Sequence, residues 1–166
     1  MAKHHTVGAL VMAVGMIATA PPQCRFIETE PPFQYLSVVL VAGEVADYHR
    51  LLGIHYSLRN TSAKTISSLR ISFRLYDESG NQLPSPGDNY FVLTHSGWIL
   101  PQTDCEVCAS LDSSFFFAPT GTLVVDGFRI YRIDFTDGSQ WSDPFNLYGY
   151  PNSVDYEDLS KGGNEP

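Results

Sequence analysis

Residues 69–75 read Leu-Arg-Ile-Ser-Phe-Arg-Leu, with apolar and polar side chains in strict alternation. An extended chain turns successive side chains to opposite faces. Leu69, Ile71, Phe73 and Leu75 therefore share one side, and Arg70, Ser72 and Arg74 the other. A helix needs apolar residues three and four apart, and Arg74 between Phe73 and Leu75 breaks that spacing. The stretch must lie in a sheet with one dry face. Asp77-Glu78-Ser79-Gly80-Asn81 then predicts a turn, with the Asp77 carboxylate capping backbone N–H groups and Gly80 supplying a positive φ.

Similar signals follow one another along the chain. Leu36 to Val41 is a continuous apolar run. Gly53 to Arg59 alternates, with Ile54, Tyr56 and Leu58 on one face. Tyr90-Phe91-Val92-Leu93 and Trp98-Ile99-Leu100 read as two short strands. Cys105 to Leu111 alternates again, with Cys105, Val107, Ala109 and Leu111 inward. Phe128 to Phe135 is strongly β-prone and enters a hairpin turn at Thr136-Asp137-Gly138-Ser139, which leads to Trp141. No stretch after Pro32 has helical periodicity. About seven short strands with polar turns predict an all-β chain folded as a sandwich over residues 34–146. Residues 24–33, with Pro31-Pro32, read as a linker, and residues 147–166 as a loosely ordered polar tail.

Phe73-Arg74-Leu75-Tyr76-Asp77 resembles the bacterial domain family named for the pattern F-x-L-Y-D. Tyr56-Ser57-Leu58-Arg59-Asn60-Thr61-Ser62 is similar to that family's strand ending in an Asn-containing turn. Ile133 to Trp141 is similar to the closing hairpin of many exported sandwich domains. The F-x-L-Y-D likeness covers roughly residues 50–112. It implies an immunoglobulin-like antiparallel β-sandwich in an exported protein, and it carries over no catalytic residue.

The N-terminus agrees with export. Lys3, His4 and His5 precede an apolar run from Val7 to Ala18, too short for a membrane span of about 20 residues. This is the pattern of a secretory signal over residues 1–23. Ala18-Thr19-Ala20 offers a cleavage site, against which Pro21 stands. Cys24 offers lipidation instead, although Pro21-Pro22-Gln23 departs from the small residues that such processing prefers. A retained N-terminal anchor, or a buried hydrophobic segment of a cytosolic protein, is the remaining alternative.

Ten basic residues against eighteen acidic ones leave a net charge of −8. A phosphate-binding surface needs clustered Lys and Arg, and no cluster stands in the linear sequence, so nucleic acid is not an expected partner. The same charge disfavours docking to anionic lipid. Membrane contact is expected only through the N-terminal segment or a lipid on Cys24.

Few residues suggest chemistry. Cys105-Glu106-Val107-Cys108 is a CxxC, but a redox dithiol opens a helix, and this one sits in a strand pattern. Residues three apart in a strand are about 10 Å apart, too far for a disulfide. In an exported protein, Cys24 with Cys105 or Cys108 is the simplest pairing. Zinc would require a further Cys or His pair, and His49, His55 and His95 stand apart in sequence; His55 is expected to be an ordinary surface histidine. Asp134 and Asp137 lack the alternating ligands of a calcium loop. There is no nucleophile elbow, metalloprotease motif or phosphate loop. No catalytic residue, metal or cofactor is expected. Asn60-Thr61-Ser62 is a glycosylation sequon, relevant only to a eukaryotic secretory route.

Trp141, Phe145, Tyr148 and Tyr150 (with Tyr156) form an aromatic group of two readings. They make a partner-binding edge, or Trp141 and Phe145 close the sandwich and the tyrosines lie along it. The function expected is a non-catalytic binding, assembly or structural module of the cell envelope with a protein partner. A small-ligand carrier is the alternative, and a CxxC thiol-redox protein is the third reading.

Overall fold

A computed structural model describes residues 30–84 and 87–159. Eight strands follow in order: β1 Phe33–Ala42, β2 Leu52–Asn60, β3 Ile66–Asp77, β4 Tyr90–Ile99, β5 Asp104–Ser110, β6 Leu123–Phe135, β7 Gln140–Ser142 and β8 Asp155–Asp158. They form two four-stranded sheets, ordered β5-β2-β1-β8 and β4-β3-β6-β7. The all-β sandwich that the alternation predicts is therefore the fold. Leu69, Ile71, Phe73 and Leu75 all point into the core, each at most 1% exposed. Leu40, Leu52, Ile54 and Leu58 meet them from the first sheet. Burying each such side chain stabilises the fold by about 1.5–3 kcal/mol. Phe73 stacks between Phe91 and Phe128, at centroid distances of 5.1 and 6.0 Å.

The turns use the residues expected of them. Asp77 accepts the N–H groups of Ser79 and Asn81 at 2.9 and 2.8 Å, and Gly80 has φ +82°. Gly138, at φ +81°, turns β6 into β7.

Three features depart from the sequence reading. Tyr90–Leu93 and Trp98–Leu100 belong to one strand, β4, because the polar residues Thr94, His95 and Ser96 between them continue the pairing with β3. Against Ile66 and Ser68 of β3, the pairing skips Gly97 and Trp98, which form a bulge. Residues 147–159 are integrated rather than loose, and the rest of the expected tail lies outside the described residues. Tyr148 and Tyr150 pack against the core, and β8 pairs in parallel with β1. Asp-Tyr-Glu-Asp has no apolar alternation because it covers an edge and half-buries only Tyr156 and Asp158. Finally, β1 begins at Phe33, within the expected linker.

Candidate functional site

Four strands end the sheets: β5, β8, β4 and β7. An unpaired edge is a template for another chain, and folds blunt it with charge or brevity. β5 carries Asp104 and Glu106, β8 carries three carboxylates, and β7 is three residues long. β4 is the exception. Its ten residues include no Lys, Arg, Asp, Glu or Pro, and among the described residues only β3 pairs with it. Tyr90, Val92, Thr94, Ser96 and Trp98 alternate as exposed residues along it, and Trp98, at the bulge, is 80% exposed.

The face beside this edge gathers arginines. Arg70 and Arg74 lie on β3, and Arg129 and Arg132 on β6; in register, Arg70 faces Arg132 and Ser72 faces Arg129. These cations stand far apart in sequence, so the linear chain reads as having no basic cluster. Cross-strand pairing brings them onto neighbouring positions of one sheet. Arg132 is neutralised by Asp134 at 2.9 Å. Arg70, Arg74 and Arg129 take part in no ion pair among the described residues. The Arg129 guanidinium donates to Ser72 Oγ at 3.1 Å and reaches on to Tyr90 Oη at 3.3 Å. Arg74 lies over the Tyr90 ring, 5.6 Å from its centroid. The Ser72 hydroxyl, then Arg129 and the charge of Arg74, hold the Tyr90 phenol below its ordinary pKa. Arg70 Nε is buried and has no hydrogen-bond partner in the described structure. Positive charge from β3 and β6 is thus carried towards the open edge.

The aromatic group divides. Trp141 is buried, and Tyr148 and Tyr150 are half-buried against the core. Asp143 accepts the N–H groups of Leu147 and Tyr148 at 2.9 and 3.0 Å, and Tyr150 N–H donates to Phe128 O at 2.8 Å. These contacts fit the closing role. Phe145 is exposed. Two further exposed aromatics, Phe116 and Phe117, stand on the β5–β6 connection.

The CxxC lies within β5. Alternation turns Cys105 and Val107 towards the core, and sets Cys108 opposite His55 of β2. Both thiols are free in the described structure. Burial, with Glu106 adding to it, pushes both thiol pKa values up. A reactive dithiol needs the opposite environment. Cys24 lies outside the described residues, as do the signal segment and its cleavage site.

Sequence spacing missed a histidine pair. His49, 3% exposed, sits in the β1–β2 connection, and its Nε2 lies 2.8 Å from Nε2 of His55. His49 Nδ1 donates to the Gly43 carbonyl at 3.0 Å, which leaves Nε2 bare to accept the His55 N–H. The ring covers Gly53 so closely that a Cβ there would collide with it. His55 is therefore more than a surface histidine; burial, then His49, lowers its pKa against the pull of Glu157. Among the described residues no three His, Cys, Asp or Glu side chains form a metal-sized group. Asp134 and Asp137 bind different cations, Arg132 and Lys64.

A concavity of about 320 Å³ lies between Pro32, Lys64, Phe135, Ser139 and Trp141. The cation in its lining is already engaged: Lys64 Nζ meets Asp137 at 2.8 Å and Ser139 Oγ at 2.7 Å.

Compared with protein-family models, curated proteins and solved structures, the chain matches none.

Proposed function

We propose that this chain is a non-catalytic binding and assembly module of an exported cell-envelope protein, and that it takes its partner by strand addition at β4. The immunoglobulin-like, F-x-L-Y-D character of the sandwich belongs to the same proposal. The observation that carries it is a ten-residue edge without one formal charge, flanked by three edges that are charged or short. An extended partner would satisfy the free N–H and C=O groups of β4, and alternate side chains would set its specificity. Trp98, Tyr90 and the nearby arginines are the residue types that dominate binding energy at interfaces.

A photoreactive residue placed at Val92 or Thr94 in the native host tests this reading. The expected result is a crosslink to a discrete envelope polypeptide from these positions and none from Glu106 on the opposite sheet. Equal yield from Glu106 would defeat it. The intact mass of the native protein, alkylated with and without reduction, tests export and the state of Cys24. A start at Pro21, or at Cys24 with added acyl mass, supports export. An unprocessed chain with three free thiols removes that part of the proposal.

A further inference from the structure

We propose that the strand received at β4 is acidic, its carboxylates resting on the arginine face of β3 and β6. This rests on the strand-addition reading and adds the chemistry of the partner. Three observations converge. In a chain of net charge −8, Arg70, Arg74 and Arg129 make no direct ion pair among the described residues, although Arg70 shares the field of Asp134. Arg70 Nε is a buried donor with no hydrogen-bond partner in the described structure. Arg129 spans β3 to reach Tyr90 on the edge strand, and Arg74 covers the same ring.

Arg74 and Arg129 therefore lean over an edge that offers unpaired backbone groups and carries no acidic or basic residue of its own. Only a polypeptide satisfies both features. A sulfated glycan would meet the guanidinium groups and leave the β4 backbone unpaired. The carboxylates already present on this face are Asp126, opposite Arg74 in register, and Asp134, held by Arg132. A partner strand with Glu or Asp at every second position presents its acids on one side only, so one side of it can meet Arg74 and Arg129 while its backbone pairs with β4. Charge complementarity of this kind selects the partner and speeds encounter, and salt screens it.

The test uses NMR on the labelled full chain with three ten-residue peptides that match β4 in length: alternating Thr-Glu, Thr-Ser and Thr-Lys. The expected result is that Thr-Glu alone shifts the β4 amides together with the Arg74 and Arg129 Nε signals. Its affinity should fall with added salt, and about tenfold or more in R74E/R129E. Because that double variant alters packing around Tyr90, the single variant R74Q, at an exposed side chain, serves as the folded control and should weaken Thr-Glu binding in the same direction. Equal binding of Thr-Ser overturns the acidic partner while strand addition stands. Arginine signals that shift without β4 amides overturn both. Tighter binding of a heparin oligosaccharide than of Thr-Glu overturns the polypeptide assignment, and silence from all three peptides overturns the proposal outright.

Discussion

Asn60 ties two strand ends together through a single uncharged side chain. It is fully buried. Its Nδ2 donates to the carbonyls of Lys64, Ile99 and Leu100 at 2.8–3.1 Å, while its Oδ1 accepts from Ser62 N–H and Oγ. One side chain thus fastens the end of β2 to the end of β4. Asn60→Ala would empty a fully buried polar site and take a donor from the Ile99 carbonyl, while Lys64 O keeps Ser62 Oγ and Leu100 O keeps Thr103 Oγ1; we expect a loss on the order of 2 kcal/mol in urea unfolding. Asn60→Asp should be no better, since it removes the donors. The same burial closes the sequon, so this asparagine accepts no glycan in the folded state. The histidine pair is the other single-residue device. Gly53→Ala would drive the His49 ring off its seat. By NMR the His55 pKa should then rise towards its ordinary 6.5. In the native protein the folded pKa is lowered, so the unfolded chain takes up the proton first. Stability is therefore complete above about pH 6.5 and declines as pH falls through and below that value. His55→Gln should flatten that decline, and an unchanged slope would show that the pair plays no part in it.

Each edge strand has its own defence, and β4 has almost none along Tyr90–Ser96; only the bulge at Gly97 and Trp98 interrupts it. Val92→Glu adds a negative charge at an exposed edge position, where it would repel the acidic strand proposed to dock there. It should change stability by less than about 0.5 kcal/mol while abolishing crosslinking to the partner. A large loss of stability would mean that Val92 belongs to the core instead. β5 makes the opposite prediction for its thiols. With both pKa values raised, Cys105 and Cys108 should be alkylated more slowly at neutral pH than a free cysteine, with peptide mapping to separate them from Cys24. Fast alkylation of either would revive the thiol-redox reading.

Across the whole molecule, charge is divided between the sheets. β3 and β6 carry four arginines against three aspartates, whereas β5, β2, β1 and β8 carry one arginine against five carboxylates. Tyr35 joins these two halves: its hydroxyl accepts Ile130 N–H at 2.7 Å and donates to the Tyr148 carbonyl at 3.3 Å. Tyr35→Phe should lower stability by about 1–3 kcal/mol, read as a drop in Tm. The core was legible in the sequence because burial writes itself as period two: Phe73 and Leu75 are where their spacing puts them. The arginine face and the histidine pair were not, because both arise between strands, and register is invisible in one dimension. β8 escaped for another reason: a strand that shields an edge needs backbone pairing more than apolar side chains. Its place has a further consequence. Among the described strands β8 is synthesised last, yet it lies against β1, so this sheet closes only after the other seven have emerged. Until then β1 has a vacant flank, and a ribosome that releases the chain slowly prolongs that vulnerable interval. Closure of this sheet is thereby timed by the arrival of β8.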